Sequence, residues 1–226
     1  MDKFGRNYLL TVQTYEGDYI TVKPPFTIDF DIQRDTLSSV NIANIRIYNL
    51  SERNRNLIRK DAWNFFDIRQ LALRAGYGNQ ISTIAVGNIS QAWSVREGTE
   101  YITSIKSFDG GLAFTQAQSN LQFPSGTTKR TIVQKLADNM TNFGVTVGAI
   151  GDIKKKIPRG NSYSGGTASI LKDITGDSFF IDNGKINILG SNEAIDGSVL
   201  VINSESGLLG TPIRENTYLR FDLNKF

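Results

Sequence analysis

The 226-residue chain carries 25 Lys and Arg against 22 Asp and Glu, a net charge of +3, with 39% hydrophobic and 21% charged residues. That is the composition of a folded chain long enough for one large core or two smaller ones. It contains no cysteine and no histidine, which excludes disulfide frameworks, thiolate nucleophiles, Cys/His zinc sites and imidazole proton transfer, and leaves a catalytic reading only carboxylate or Ser-Lys chemistry. No apolar run reaches membrane-spanning length, and residues 1–6 lack the apolar stretch of a secretory signal. A soluble protein made in the cytoplasm, without membrane insertion, is expected.

Residues 9–14 and 19–22 read as strands around Glu16-Gly17-Asp18, a hairpin signal. Residues 26–32 alternate strictly, with Phe26, Ile28, Phe30 and Ile32 on one face and Asp29 and Asp31 opposite them beside Thr27. An Asp-x-Asp pair can chelate a divalent cation, yet the alternation already accounts for both carboxylates as a wet strand face. Residues 44–49 predict another strand, and Ser51 the N-cap of a helix over 52–61 with Leu57 and Ile58 inward. Further strands are predicted at 68–77, 81–86, 89–95 and 100–109, with Leu71, Leu73 and Ala75 sharing a face and Trp93 in the core. Short strands at this spacing predict a β-barrel or sandwich with a helix packed on its side.

The pattern changes after Asp109-Gly110-Gly111. Residues 116–125 are polar and aperiodic and read as a loop or linker. A helix follows from Thr128, with Ile132, Val133, Leu136, Ala137 and Met140 on one face, and then a short strand at 145–150. Residues 159–167 read as a glycine-rich turn in which Thr167 caps a helix burying Ala168, Ile170, Leu171 and Ile174. Asn183-Gly184, between 178–181 and 185–189, predicts a type I′ hairpin. Leu200-Val201-Ile202 and Tyr218-Leu219-Arg220-Phe221 return to strand patterning. The predicted fold class is therefore β-rich α+β: a barrel or sandwich domain with a flanking helix over 1–112, a small α+β domain over 113–198, and a returning β segment over 199–226.

Candidate chemistry is sparse. Gly160 and Gly165 have the spacing of a phosphate-binding loop and Thr167 stands at the Mg²⁺-binding hydroxyl, but Gly166 occupies the lysine position and no apolar strand leads in. Ser169 and Lys172 form an S-x-x-K without its companion motifs. Glu97 and Glu100 lie together in a charged turn, where a glycosidase pair would have to face each other across a cleft. Trp63, Trp93 and the tyrosines could make a stacking platform. Arg53, Arg55, Arg59 and Lys60, and the run Lys154-Lys155-Lys156, are the densest basic groups, but they form no continuous stripe of the kind nucleic-acid binders use. No catalytic, cofactor-binding or metal-ligating residue is assigned.

Taken in order, several segments resemble the baseplate hub proteins of phage tails. They are Leu71-Ala72-Leu73-Arg74-Ala75-Gly76-Tyr77-Gly78 followed by Ile84-Ala85-Val86-Gly87-Asn88-Ile89, the strand into Asp109-Gly110, and the helix from Thr128. The turn Ser164-Gly165-Gly166-Thr167, the hairpin at Asp182-Asn183-Gly184-Lys185 and the exit Ser206-Gly207-Leu208-Leu209-Gly210-Thr211-Pro212 complete the set. The resemblance implies a tube-like β-barrel domain and, later in the chain, a second one, packed as a trimer into a pseudo-sixfold ring. That ring would join the hexameric tail tube to a threefold spike or tip and line the channel for DNA ejection. Implied partners are the tail tube protein, the spike or tip protein, other baseplate proteins and the tape-measure protein, with DNA passing transiently. The chain stops at Phe226, where the second barrel should be under way, so either a fragment or a shortened hub is expected. An acidic Asp29/Asp31 face would suit a lumen, because it repels passing DNA. A nucleic-acid-binding barrel and a carboxylate-only cell-wall hydrolase are the alternatives from other classes.

Overall fold

The computed structural model describes residues 5–34, 40–64, 67–189 and 193. Residues Met1–Asp196 form one compact unit and Gly197–Phe226 a second; the expected returning β segment over 199–226 lies outside the described residues. Within the first unit the fold is β-rich α+β, with two separate apolar cores.

The first core lies under a seven-stranded antiparallel sheet. Its strands are β1 (Arg6–Gln13), β2 (Tyr19–Val22), β3 (Ile28–Gln33), β4 (Ile42–Tyr48), β5 (Gln70–Tyr77), β6 (Gln80–Glu97) and β7 (Glu100–Phe108), in spatial order β2-β1-β5-β6-β7-β4-β3. Alternation buries Leu10 and Val12 of β1, Ile45 and Ile47 of β4 and Leu71 and Leu73 of β5 on one face. The sheet curls until the Tyr8 hydroxyl of β1 donates to the carbonyl of Phe26, just before β3. Among the described residues, however, the outer strands β2 and β3 do not pair, so the expected barrel is an open, curled sheet.

Helix α1 (Glu52–Ile58) begins where Ser51 Oγ accepts from the Asn54 N–H and drives Ile58 into the core. Its last carbonyls are held by Arg69, which is 2% exposed and donates to the carbonyls of Leu57, Ile58 and Arg59 and to Asp67 Oδ2 at 2.7 Å. A cation on the carbonyl end of a helix is the favourable sign. The helix is three residues shorter than its predicted span because Arg59 already turns into extended backbone.

One strand replaces the two expected at 81–86 and 89–95. Gly87 is part of β6, and a Cβ there would meet the Phe108 carbonyl oxygen and Ser107 Oγ at 2.6 Å, so this glycine permits close approach and makes no turn. The register between β6 and β7 shifts between Ile89 and Gln91. That bulge changes which side chains face in: Ile89 and then Ala92 are buried, whereas Trp93 is 41% and Val95 48% exposed. Trp93 is therefore not a core residue, contrary to the alternation reading.

The second core gathers α2 (Gly111–Gln116), β8 (Gln118–Phe123), α3 (Lys129–Thr141), β9 (Thr146–Ile150), β10 (Asn161–Gly166), α4 (Thr167–Thr175), β11 (Phe179–Asp182) and β12 (Lys185–Ile188). Helix α3 buries Ile132, Val133, Leu136, Ala137 and Met140, and Thr128 Oγ1 caps it by accepting from Thr131 N–H. Strands β11, β12 and β9 form a three-stranded sheet, and β8 pairs with β10. Asn183 and Gly184 both have positive φ, +50° and +72°, as a type I′ turn demands.

Two segments depart from expectation. Residues 116–125 hold the end of α2 and strand β8, not a linker. Their polar residues are partnered inside the fold, with Ser119 Oγ 2.8 Å from Thr167 Oγ1 and accepting from Asn139 Nδ2 at 3.0 Å. The glycine-rich stretch is strand β10, and Thr167 is the fully buried first residue of α4 rather than its cap.

The two cores meet through polar contacts. Asn41 Nδ2 donates to the Ile181 carbonyl at 2.9 Å, and Gly184 N–H to Asp109 Oδ1 at 2.8 Å. Arg34 stands 3.3 Å from Asp182 Oδ1 and donates to Asn183 Oδ1 at 3.2 Å and to the Ile84 carbonyl. Asp109 is 7% exposed. Burial pushes its carboxyl above the ordinary value of 3.8, the Gly184 and Asn183 N–H groups pull it back, nearby Asp182 raises it and Arg34 lowers it.

Two outcomes follow. Gly87→Ala is expected to lower stability by about 1–3 kcal/mol in urea unfolding, because its methyl must displace the β7 backbone; an unchanged midpoint would refute the close-approach role. Because the folded carboxyl of Asp109 titrates above its unfolded value, the folded state holds the proton longer. Its contribution therefore falls as pH rises from the ordinary value through the raised one. Asp109→Asn keeps an acceptor for Gly184 N–H, and should flatten that decline in thermal melts taken from pH 4 upward.

Candidate interaction surface

Three bulges of chemistry reach solvent: the projecting β6–β7 arm, the outer edge of β3, and the loop carrying the lysine run. In the arm, β6 pairs with β7 from Gln91 to Glu97, while on its other side, among the described residues, only Ala92 is bridged, exchanging backbone hydrogen bonds with Lys60 at 2.9 Å. Backbone groups alternate direction along an antiparallel strand. Since Ala92 faces Lys60, the N–H and C=O of Ser94 and Arg96 also point away from β7, along an edge that no other strand covers among the described residues.

The arm exposes Trp93, Val95 and Tyr101, the last 38% accessible. Arg55 of α1 stacks on the Tyr101 ring at 3.8 Å, and Arg96 lies 5.8 Å from the same centroid. A recess between α1 and the arm is lined by Arg55, Asn56, Arg59, Trp93, Ser94 and Tyr101.

At the far edge of the sheet, Thr27 carbonyl accepts from Tyr48 N–H at 3.0 Å. By the same alternation, the backbone groups of Ile28, Phe30 and Ile32 point away from β4. Phe26 and Phe30 are 42% and 45% exposed. The apolar face predicted for residues 26–32 is thus only half covered, because among the described residues β3 has a neighbour on one side alone.

The register carries Asp29, Arg46, Ser104 and Trp93 in one row and Asp31, Asn44, Lys106 and Gln91 in the next. Residues directly opposite share a face. The Asp29/Asp31 face is therefore wet, as its alternation requires, and mixed in sign, with Arg46 and Lys106 among the acids. Asp29 accepts from the Tyr48 hydroxyl at 2.6 Å, and that bond is the main reason the Tyr48 phenol titrates above 10.0, with burial adding to it.

The remaining sequence candidates are dispersed. Glu97 and Glu100 are opposite each other at the arm's tip, both exposed, with Arg46 3.9 Å from Glu97; no cleft separates them. Ser169 and Lys172 are exposed on α4 with no hydrogen bond between them. Gly160 precedes β10 and Gly165 and Gly166 end it, so no phosphate cradle forms. Trp63 is 76% exposed.

Lys154 pairs with Asp152 at 2.7 Å, which raises its ammonium, while Lys155 and Lys156 stay exposed. Lys60 is not part of a solvated cluster. It is 6% exposed, its Nζ donates to the carbonyls of Asn64 and Asp67, and burial lowers its titration despite the counteracting Asp67 charge. Sequence reading overlooked Arg69, Asn41, Asp109 and Arg34. Only Asp109 stood beside a visible landmark, the glycine pair that follows it.

Among the described residues no three acidic side chains group as metal ligands would, and no helix is long and apolar enough to cross a membrane. Among curated proteins none matches the chain. Solved structures do. The chain is similar to the tail protein from Neisseria meningitidis MC58, with 16% identity and a TM-score of 0.50, covering 82% of this chain and 50% of that one. It is also similar to the 43 kDa tail protein of prophage MuSo2 from Shewanella oneidensis, with 11% identity and a TM-score of 0.53, covering 81% and 53% respectively. At such identity these likenesses speak for the fold, and the chain spans about half the length of both proteins. The profile of the family described as Baseplate hub gp41 matches residues 9–222, nearly the whole sequence. The chain therefore belongs to the baseplate hub gp41 family of phage tail structural proteins.

Proposed function

We propose that copies of this chain assemble, as a trimer, into a ring of the baseplate hub that links the tail tube to the central spike or tip and lines the channel for DNA ejection. In this reading residues 1–112 supply the tube-like part and 113–198 a small α+β part on its flank, built into the virion after synthesis in the host cytoplasm. Tail tube, spike or tip, other baseplate proteins and the tape-measure protein are its partners, and its role is structural rather than enzymatic.

The projecting arm carries the reading. Trp93 and Val95 stay 41% and 48% exposed on this hairpin, beside a backbone edge that no strand covers among the described residues, and such an edge is a hazard unless another chain covers it. The open edge of β3, with exposed Phe26 and Phe30, is a second surface of the same kind. The mixed charge of the Asp29/Asp31 face gives a weakly interacting channel wall. Acids there repel phosphates, and Arg46 is partly neutralised by Asp29 beside it and by Glu97 at 3.9 Å.

The decisive measurement is mass by light scattering, alone and with the tail tube and spike proteins, followed by electron microscopy of any ring. A trimer or a larger ring is expected with the partners. A persistent monomer that binds oligonucleotides with steep salt dependence would replace this reading with nucleic-acid binding, and clearing of cell-wall material on a zymogram would replace it with hydrolysis. Trp93→Ala removes a ring that is 41% exposed, so it should cost monomer folding less than the roughly 3–5 kcal/mol of a fully buried aromatic, yet weaken ring formation by the folded protein; ring formation at unchanged strength would remove Trp93 from the interface. Phage carrying Asp29→Lys with Asp31→Lys should assemble normally but deliver their genomes more slowly, and unchanged infectivity would remove this face from the channel wall.

A further inference from the structure

We infer that the α+β lobe is hinged on the sheet at Asp109-Gly110-Gly111, fastened by a polar latch on the β11–β12 turn, and free to rock into a cavity on the opposite side of the hinge when that latch opens. The inference goes beyond the ring and does not require it.

Several observations place the hinge. The buried clusters of the two lobes share no residue, so no continuous apolar core locks one to the other. Interfaces of this polar kind permit relative motion by default. The chain crosses from β7 to α2 through Gly110, whose φ of +62° is a left-handed conformation, packed where a Cβ would strike Ile181 at 2.8 Å. A glycine at such a crossing is where a large dihedral change costs least.

The latch lies on one side. The turn residues 181–184 are gripped by three side chains of the sheet lobe through four contacts: Asn41 Nδ2 on the Ile181 carbonyl, Asp109 Oδ1 on Gly184 N–H, and both ends of the Arg34 guanidinium on Asp182 and Asn183. Asp182 Oδ1 faces Arg34 at 3.3 Å but has no aligned hydrogen bond, so that member of the grip is a charge contact. Arg34 is 38% exposed, within reach of solvent ions. The void lies on the other side, a cavity of about 170 Å³ lined by Lys60, Ile68, Ile89, Phe108, Leu112 and Thr115 among others, between the sheet and α2. Its lining is mostly apolar. Closing it would bury that surface, so the open-latch position has a contact of its own to gain.

The experiment exploits the absence of cysteine. Spin labels on Ser82→Cys of the sheet and Lys135→Cys of α3 report the distance between lobes, with no native thiol to interfere. The fully latched protein at low salt should give one narrow distance. Arg34→Ala should add a second distance or broaden the first, and 1 M NaCl should do the same to the unmodified latch, because it screens the Arg34–Asp182 contact. Filling the cavity with Thr115→Phe in the Arg34→Ala background should return a single narrow distance. Identical narrow distances in all proteins and at both salts overturn the hinge. A broadening that Thr115→Phe leaves untouched overturns the role of the cavity. Should Arg34→Ala fail to fold, the salt series alone decides, and an invariant distance counts against the inference.

Discussion

One extra residue in β6 governs most of what this sheet presents to the outside. Over Gln80–Asn88 the strand pairs with β5, from Asn88 onward it pairs with β7, and up to Ile89 its inward side chains belong to the core. Past the bulge the inward position passes to Ala92, and Trp93 and Val95 turn outward. The same point ends the pairing with β5, whose last partner is Asn88, leaving Lys60 to bridge a single residue. Arm, open edge and aromatic surface thus share one local cause. Remove the bulge and the tryptophan would point into the core, with no arm surface to offer.

Arg69 plays the corresponding part within the lobe. Nearly buried, it gathers the C-terminal carbonyls of α1 and the Asp67 carboxylate around one guanidinium, and Lys60 holds the intervening loop through two more carbonyls. Breaking such a pair from one side leaves an uncompensated buried charge, which costs more than the pair contributes. The Lys60 segment that bridges Ala92 of the arm is therefore held by polar groups, in a protein whose cores are otherwise conventionally apolar.

How much of this was legible in the sequence depended on whether a signal was local. The cap at Ser51, the start of α3 near Thr128 with its apolar stripe and the turn at Asn183-Gly184 all follow from neighbours along the chain, and all were read. The bulge was not, because nothing in Ile89-Ser90-Gln91 marks it, and simple alternation across it sends Trp93 to the wrong face. Strand β8 was hidden because Ser119 and Asn139 find their partners 20 or more residues away, so a satisfied buried network looked like a polar loop. Glycines in β10 read as a turn, although Gly165 and Gly166 pair with Ser119 and Gln118 of β8, Gly165 doing so at a φ of +128°. Among the surface candidates, the wet character of Asp29 and Asp31 was visible, but Arg46 and Lys106 join them only through strand register. The family resemblance survived these local errors because it rested on the order of landmarks more than on any one of them.

The turn at Asn183-Gly184 has a chemical consequence beyond its shape. An asparagine followed by glycine is prone to lose its amide, because the glycine nitrogen can close a five-membered ring on the side-chain carbonyl. Here the Gly184 N–H is engaged by Asp109 and the Asn183 amide oxygen by Arg34. Ring closure would have to break both bonds and twist a backbone fixed in the left-handed region. If it occurred, a new carboxylate would arise beside Asp182 and Asp109, two acids already sharing a single nearby guanidinium. The contacts that join the lobes thus also protect the joint from chemical ageing, which matters in a particle that must wait, without turnover, until it is used.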